Sequence, residues 1–242
     1  MNLDKQTIVV TGGNSGIGLR LVERLHGMDN ALIVVSRSQN HWQQLSQQFP
    51  DIQLIQCDLS NKESVVHLAQ TLKQHPVSLL INCAAVQYEP LITDPDFYFE
   101  NIQYEITTNF TSVVWLCYHL IPTLAQQPTS GIVNLSSGLA LFPKTTSAVY
   151  CASKAAIHSL SQSLRYQLSN TRIGVSEVIL PLVDTPMTAG RGHGKITAEQ
   201  AAVAIIHGIQ KGRETIYVGK ARLLPLLSQL WPGLLKRILK KF

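Results

Sequence analysis

The stretch that decides the fold is residues 7–18, T-I-V-V-T-G-G-N-S-G-I-G. Residues 7–11 are rich in Val and Ile, which favours a short buried strand. Gly12, Gly16 and Gly18 then allow the backbone to turn sharply and to approach a ligand closely. Helical spacing begins at Gly16, so the turn presents free N–H groups and the positive end of a helix dipole to a pyrophosphate. A phosphate-binding turn between the first strand and the first helix is therefore predicted.

Apolar runs of strand length alternate with helical stretches along the rest of the chain. The predicted strands are residues 7–11, 31–35, 53–56, 79–81, 132–135, 175–179 and 215–218. The predicted helices are residues 16–26, 42–49, 62–75, 99–125, 147–168 and 198–211. Because the order strand, helix, strand repeats, it predicts a parallel sheet with right-handed crossovers and helices on both faces. The predicted fold class is therefore α/β, a doubly wound parallel sheet (Rossmann fold) of about seven strands.

The size and composition of the chain suit one domain. Of the 242 residues, 45% are hydrophobic and 14% charged, which is enough for one well-buried core. We expect a single dinucleotide-binding and catalytic domain over residues 1–242, with a basic amphipathic extension at about 221–242. The four cysteines stand singly, and no spacing of Cys, His, Asp or Glu predicts a metal site. Residues 1–6 carry no secretory or transit signature and no apolar run approaches 18 residues, so we expect a cytoplasmic protein.

The positive net charge belongs to the C-terminal end. Residues 1–210 carry twelve Lys/Arg and fourteen Asp/Glu, whereas residues 211–242 carry eight and one. A nucleic-acid partner is therefore not expected. At helical spacing, one face of the end holds Leu234, Leu235, Ile238, Leu239 and Phe242, and the other holds Lys236, Arg237, Lys240 and Lys241. Such an end either makes peripheral contact with the inner face of a membrane or packs against protein, and the pattern leaves both open.

A tyrosine and a lysine four residues apart carry the predicted chemistry. Tyr150 and Lys154 share one face of the predicted helix 147–168. A nearby cation stabilises a phenolate, so we expect the pKa of Tyr150 to fall from about 10 toward neutrality. Ser137, thirteen residues upstream, could polarise the oxygen of a carbonyl or alcohol while hydride moves at its carbon. By itself, Y-x-x-x-K also fits an exposed aromatic ring beside a solvated lysine.

The end of the second predicted strand bears on the choice of cofactor. A site for NAD usually places an acid there, to hold the 2′-hydroxyl of the ribose, whereas this chain has Ser36 and Arg37. A small hydroxyl beside a guanidinium leaves room and charge for a 2′-phosphate, so NADP(H) is favoured and NAD(H) remains possible. The alternative is that Arg37 points to water. Asp58, after the third strand, could accept from the adenine amino group or could serve a turn.

Taken together, these motifs resemble the short-chain dehydrogenase/reductase family, in its common single-domain type. The glycine turn matches the family's T-G-x-x-x-G-x-G, and residues 82–85, N-C-A-A, stand where the family has N-N-A-G. Residues 181–185 match its P-G-x-x-x-T segment. The catalytic positions of the family coincide with Asn109, Ser137, Tyr150 and Lys154. The tail is also similar, more weakly, to bacterial oxidoreductases associated with D-alanylation of cell-envelope polymers.

The resemblance implies a role for each of these residues. Tyr150 would be the general acid/base, and Ser137 would orient the reacting oxygen. Lys154 would bind the nicotinamide ribose, Asn109 would hold a water that relays protons, and Thr185 would meet the nicotinamide carboxamide. The predicted cofactor-binding residues are Thr11, Gly12, Asn14, Ser15, Gly16, Ile17, Gly18, Ser36, Arg37, Asp58, Leu59, Asn82, Ala84, Tyr150, Lys154, Pro181, Val183 and Thr185. A homodimer or homotetramer is implied as well.

Two departures from the family pattern affect the fit of the cofactor. Ala85 and Leu182 replace glycines, which adds bulk and removes backbone freedom near the cofactor. Residues 186–195 would close the substrate pocket, and three alternating glycines predict a mobile polar lid there. Its cations Arg191, His193 and Lys195 could attract an anionic substrate or a cofactor phosphate, or could simply be solvated.

The expected function is that of an NADP(H)-dependent oxidoreductase. It would transfer hydride between nicotinamide and a small carbonyl or alcohol substrate, with Tyr150 as the acid/base. The alternative is an NADPH-binding regulatory or adaptor protein that uses the tail to reach a membrane or partner and has little turnover. Retention of all four catalytic positions favours the enzyme.

Overall fold

Seven parallel strands form one sheet in the computed structural model, which describes residues 1–231, 233 and 240. The strands of the chain are β1 Thr7–Thr11, β2 Ala31–Ser36, β3 Gln53–Gln56, β4 Leu79–Asn82, β5 Ser130–Ser137, β6 Ile173–Leu180, β7 Val183–Asp184, β8 Ile196–Thr197 and β9 Thr215–Tyr217. The large sheet has the order β3-β2-β1-β4-β5-β6-β9, and β7 pairs with β8 in a separate parallel ribbon. This order is that of a doubly wound Rossmann fold, so the predicted fold class is confirmed. The small ribbon was not predicted.

The helices cover both faces of the large sheet. They are α1 Gly16–His26, α2 Trp42–Gln48, α3 Lys62–Leu72, α4 Glu100–Ile106, α5 Ser112–Leu124, α6 Ala148–Gln167, α7 Ala198–Gln210 and α8 Leu224–Leu230. The predicted helix 99–125 is interrupted, because Thr107–Thr111 forms a π-helical turn between α4 and α5. Single π-helical turns of this kind occur often at functional sites. The other predicted helices agree with the structure to within a few residues.

The core lies in two layers because successive side chains of a strand point to opposite faces of the sheet. Ile8 and Val10 belong to the cluster that includes α1 and α7 residues, whereas Val9 belongs to the cluster that includes α3, α5 and α6 residues. All three are fully buried. This two-sided burial explains why the strands read as continuous apolar runs.

The strand order reverses between β1 and β4, which lie side by side at the centre of the sheet. Helical crossovers leave this point in opposite directions, so a crevice opens beyond the carboxyl ends of the two strands. The glycine turn after β1 and residues 83–86 after β4 face each other there. The topology therefore places a ligand cleft where the sequence predicts the cofactor.

No helix among the described residues is long and apolar enough to cross a membrane. Of the predicted C-terminal extension, residues 221–231 are described and include α8. The predicted amphipathic faces from Leu234 to Phe242 lie outside the described residues, apart from Lys240.

Candidate active site

A cleft of about 460 Å³ opens at the carboxyl edge of the sheet. The predicted cofactor residues that line it are Gly12, Asn14, Ser15, Gly16, Ile17, Gly18, Ser36, Arg37, Asp58, Leu59, Ala84, Tyr150, Lys154 and Thr185. Thr11, Asn82, Pro181 and Val183 are not among the lining residues. Lining residues that the sequence did not suggest include Ser38, Asn40, His41, Tyr104 and Ser136. The structure thus brings most of the predicted set into one cleft.

The glycine turn is packed too closely for side chains. A Cβ on Gly12, where φ is +68°, would lie 2.9 Å from the Ala84 Cα, and one on Gly18 would overlap the Gly12 carbonyl group. α1 begins at Gly16, and its first turn contains no acidic residue that could compete for the N–H groups. The turn therefore leaves backbone donors and a positive dipole at the cleft wall, which fits a pyrophosphate.

Thr11 and Asn82 act behind the cleft wall. The Thr11 hydroxyl accepts hydrogen bonds from the backbone N–H groups of Cys83 (3.0 Å) and Ala84 (3.1 Å). Asn82 donates from Nδ2 to Oδ1 of Asn134 across the sheet, at 2.8 Å. Both side chains are buried, so in this structure they fix the ends of β1 and β4 and do not reach into the cleft.

The hydroxyl of Ser36 has two local hydrogen-bond partners. Ser36 is buried, and its Oγ donates to the Ser38 carbonyl at 2.9 Å and accepts from Trp42 Nε1 at 2.8 Å. These two bonds turn the chain after β2 so that Ser38 joins the cleft wall. Ser36 lines the cleft, and the expectation that this small residue leaves room for a 2′-phosphate stays a prediction.

Arg37 is held at the edge of the cleft by an aromatic residue. Its guanidinium donates to the hydroxyl of Tyr104, and its Cζ lies 5.6 Å from the centroid of that ring. Cation–π contact and the hydrogen bond together restrict a side chain that would otherwise point freely to water. The sequence missed Tyr104 because it lies on α4, 67 residues away along the chain.

Asp58 takes the turn role that the sequence left open. Its Oδ1 accepts from the Ser60 N–H at 2.9 Å and from the Ser60 hydroxyl at 2.7 Å. Asp58 nevertheless also lines the cleft, so a contact with an adenine is compatible with this geometry.

Lys154 and Tyr150 meet at the opposite end of the cleft. Lys154 is 4% exposed, and its Nζ donates to the Leu135 carbonyl at 2.8 Å. Burial lowers the pKa of Lys154 to about 8. Nζ lies 5.6 Å from the centroid of the Tyr150 ring, so the two side chains share a helix face as predicted.

The predicted fall in the pKa of Tyr150 is wrong for this structure. Burial disfavours the phenolate and raises the pKa well above its ordinary value, and the nearby Cys151 and Glu105 act in the same direction. Arg191 alone among the named neighbours lowers it. Lys154 does not offset the burial, because its ammonium is directed to the Leu135 carbonyl. The phenol is therefore held in its protonated form.

Ser137 and Ser136 lie at the end of β5 and point in different directions, as the strand geometry predicts. The Ser137 Oγ accepts from the Leu139 N–H at 3.1 Å. Ser136 is buried, and its Oγ donates to the Lys154 carbonyl at 3.4 Å. Ser136, not Ser137, is among the residues that line the cleft. Ser137 stands beyond it, at the start of the segment that leads to α6.

Asn109 lies in the π-helical turn and fastens the segment after β4. Its Oδ1 accepts from the Val86 N–H at 2.8 Å, and its Nδ2 donates to the Val86 carbonyl at 2.8 Å and to the Ser153 Oγ at 3.2 Å. Both hydrogens of the amide nitrogen are therefore used. The relay water that the resemblance implies at Asn109 stays a prediction. The Asn109 side chain positions Val86, which lines the cleft.

Glu105 is a buried acid that the sequence did not single out. It is 2% exposed and accepts from the Tyr88 N–H at 3.4 Å. Burial raises its pKa to about 7. Its charge also bears on both Tyr150 and Lys154, which places it close behind the reacting pair. The sequence did contain a signal for this buried acid, because Glu105 falls within the apolar pattern of the predicted helix 99–125.

The lid is held by ion pairs and is not merely solvated. Glu89 Oε1 lies 3.1 Å from Arg191 Nη1 and 2.9 Å from Lys144 Nζ, so it joins three loops. Lys195 Nζ donates to the Thr188 carbonyl at 2.6 Å and lies 3.4 Å from Asp184. Of the three predicted lid cations, His193 is exposed, and Arg191 and Lys195 are partly buried.

The lid also accommodates one departure from the family pattern. Gly192 has a φ of +58°, and a Cβ there would overlap the side chain of Leu182. Leu182, which replaces a glycine of the family pattern, thus fits because Gly192 lies opposite it and has no side chain. Ala85 lines the cleft, where its methyl group adds bulk to the wall.

A strand–glycine turn–helix unit, a parallel seven-stranded sheet and a Tyr/Lys pair on the helix after β5 define an oxidoreductase with an NAD(P)-binding Rossmann fold. Residues 6–195 match a sequence profile described as short chain dehydrogenase. The chain therefore belongs to the short-chain dehydrogenase family. Within the described residues, no group of His, Cys, Asp and Glu could hold a metal ion.

Two curated relatives extend the comparison. The chain is 34% identical over 232 residues to an uncharacterized oxidoreductase DltE of Bacillus subtilis, and the match covers 89% of each protein. It is 26% identical over 243 residues to a fatty acyl-CoA reductase of Acinetobacter baylyi, covering 96% of this chain and 82% of the relative. Both names describe oxidoreductases.

Solved structures share the fold. A short chain dehydrogenase from Burkholderia cenocepacia in complex with NADP superposes with a TM-score of 0.89 at 24% identity, covering 99% of both chains. A short chain dehydrogenase/reductase from Burkholderia phymatum in complex with NAD gives 0.86 at 20% identity, covering 98% of this chain and 96% of that one. At these identities the likeness supports the architecture.

Proposed function

We propose that the protein reduces a carbonyl compound at the expense of NADPH, with Tyr150 as the proton donor. One observation carries the proposal: a single cleft joins the held guanidinium of Arg37 at one end to Tyr150 and Lys154 at the other. Two of the solved neighbours are complexes with NADP or NADPH and another with NAD, so the neighbours leave the choice of nicotinamide cofactor open. The residues of this chain favour NADPH.

The phosphate end of the cleft supports that choice. The N-terminus of α1 would hold the pyrophosphate through backbone N–H groups. Arg37, held against Tyr104 at the edge of the cleft, would supply a cation for a 2′-phosphate, and the end of β2 has no carboxylate to repel one. Asn14 donates to the carbonyls of Ser38 (3.2 Å) and Asn40 (3.3 Å), which braces the facing wall. These groups fit NADP(H) better than NAD(H).

The reacting end of the cleft supplies a proton donor for carbonyl reduction. NADPH supplies hydride when it is bound. Because burial keeps the Tyr150 phenol protonated near neutral pH, the chain presents a proton donor for the oxygen that gains charge as a carbonyl is reduced. Proton transfer from the phenol to that oxygen leaves a Tyr150 phenolate. Lys154, with a pKa of about 8 and its Nζ 5.6 Å from the ring centroid, would stabilise that phenolate in its ammonium form.

A panel of aldehydes and ketones, followed by loss of NADPH absorbance, tests the activity. Wild-type turnover should fall by at least about a hundredfold in Tyr150→Phe, since general acid catalysis contributes roughly that factor or more. Tyr166→Phe, at an exposed tyrosine on the same helix, is the matched control and should leave the rate unchanged. Undiminished turnover in Tyr150→Phe contradicts the proposed mechanism. NADPH binding without turnover across the panel favours the adaptor function.

Cofactor choice is tested separately. Arg37→Ala should weaken NADPH binding by roughly tenfold or more, since a charge-assisted contact contributes about 1.5–3 kcal/mol, and should leave NADH binding nearly unchanged. Arg172→Ala, at an exposed arginine distant in sequence, serves as control. Equal losses for both cofactors would remove the argument from the 2′-phosphate.

A further inference from the structure

The helix α8 exposes an apolar face. Leu223, Leu226 and Leu230 are each 55% exposed, and Trp231, directly after the helix, is 56% exposed. The spacing of three and four residues places the three leucines on one side of the helix. Residues of the opposite side, such as Leu224, pack against Ile179 and Ala221 in the body of the protein. The orientation of the helix is thus fixed by its inner face, and its outer face is left to water.

The positive charge of the sequence is concentrated in the residues around and after α8. Residues 211–242 contain eight Lys/Arg and one Asp/Glu, whereas residues 1–210 carry a slight excess of acid. Arg222 is exposed at the start of α8, and four further cations, Lys236, Arg237, Lys240 and Lys241, follow the helix in the sequence. An apolar face joined to a basic segment matches the chemistry of an anionic lipid surface, where each basic residue adds attraction.

A second copy of the chain fits this face less well. In a two-fold symmetric dimer the same patch meets itself, so the exposed Arg222 of each copy, next to the patch, would be brought toward the other. Such an arrangement would set like charges against one another, whereas anionic headgroups neutralise them. Trp231 supports the lipid surface too, because an indole with an apolar body and a polar N–H is suited to the headgroup level.

We propose that α8 and the basic segment after it bind the protein peripherally to an anionic membrane surface. Leu223, Leu226, Leu230 and Trp231 would insert at the level of the headgroups, and the cations would contact lipid phosphates. The surface adjoins the active site, because Leu141 and Phe142, in the segment between β5 and α6, pack against the cluster that includes Leu224. Bound in this way, the protein would hold the segment that leads to Tyr150 near the lipid.

Flotation of the full chain with lipid vesicles tests the proposal. The protein should float with equimolar phosphatidylglycerol and phosphatidylcholine, and should stay at the bottom with phosphatidylcholine alone. Binding should weaken as salt is raised, because surface charges are screened. Replacing Lys236, Arg237, Lys240 and Lys241 by Gln should weaken binding by roughly fivefold for each charge removed.

The apolar face is tested by the double variant Leu226→Asp, Leu230→Asp, which should bind vesicles roughly a hundredfold more weakly. Val203→Asp, at an apolar residue of α7 that is 43% exposed, is the matched control and should float like the wild type. Because Leu226 and Leu230 are exposed, both aspartate variants should keep the wild-type circular dichroism spectrum.

Two results overturn the proposal. The first is that the wild-type protein does not float with anionic vesicles. If light scattering then gives a smaller molecular mass for the Leu226→Asp, Leu230→Asp variant than for the wild type, the face is assigned to contact with a second copy. The other is equal flotation of wild type, the double variant and the glutamine variant, which would place any lipid contact elsewhere. Neither result bears on NADPH turnover, which is measured without lipid.

Discussion

Replacement of Asn109 by Ala separates a structural role from the relay role that the family resemblance implies. The variant removes three buried hydrogen bonds, two to Val86 at 2.8 Å and one to Ser153 at 3.2 Å. The N–H and carbonyl groups of Val86 lose these partners. Asn109 is only 1% exposed, so the place it vacates is buried. At about 1 kcal/mol for each bond, the free energy of unfolding should fall by about 3 kcal/mol. For a chain of this size, the melting temperature should drop by roughly 6–12 °C.

Urea unfolding and calorimetry measure this loss, and Asn101→Ala provides the control. Asn101 has the same side chain on α4 but makes no side-chain hydrogen bond among the described residues, so its replacement should cost less than about 0.5 kcal/mol. Turnover in Asn109→Ala should fall together with stability, because Val86 lines the cleft and would shift. An Asn109→Ala protein with wild-type stability and little activity would refute the reasoning and favour the relay.

Three further outcomes follow from the site. Glu105→Gln should stabilise the protein relative to the wild type, and by more as pH rises from about 4.5 to about 7, up to about 3 kcal/mol. The reason is that the folded wild type must keep this acid protonated above its ordinary pKa of 4.5. Urea titrations at several pH values measure the difference in free energy of unfolding between the two proteins, and a difference that does not change with pH would contradict the prediction. Gly18→Ala should weaken NADPH binding by more than about tenfold and should lower the melting temperature. The new Cβ would lie 2.8 Å from the Gly12 carbonyl carbon, so the glycine turn would have to shift. Titration of the nucleotide fluorescence measures the affinity. Arg191→Ala should raise KM in steady-state kinetics. It should change the free energy of unfolding by less than about 1 kcal/mol, because the ion pair of Arg191 with Glu89 is partly exposed. A loss in kcat with an unchanged KM would argue against a contact between the lid and the substrate.

The sequence predicted the fold well because its signal is local. Each of the seven predicted strands overlaps a strand of the large sheet, and buried β-branched runs such as 7–11 leave few alternatives. The start of α7 is equally local: Thr197 and Gln200, three residues apart, have the spacing of a capping box, and both of its hydrogen bonds are present at 3.0 Å. The π-helical turn was not predictable, since a single turn of this kind barely alters the apolar spacing of residues 99–125.

The site was predicted less completely because its details depend on partners far apart in the chain. Spacing placed Tyr150 and Lys154 on one helix face but said nothing of the Leu135 carbonyl that takes the ammonium. Likewise Arg37 contacts Tyr104, which lies 67 residues away along the chain, and Arg191 contacts Glu89, which lies about a hundred residues away. Such contacts require the folded sheet, so the residues could be named from sequence while their hydrogen bonds and protonation states could not.

The protonation states of the reacting groups share one cause. Burial raises the pKa of Tyr150 and of Glu105 and lowers that of Lys154, so each group is shifted toward its uncharged form. Proton transfer from the Tyr150 phenol to a carbonyl oxygen leaves a phenolate, which is also the base that alcohol oxidation requires. Burial therefore makes the proton-transfer step harder in both directions, and the proposal of carbonyl reduction rests on the other end of the cleft, where Arg37 favours NADPH.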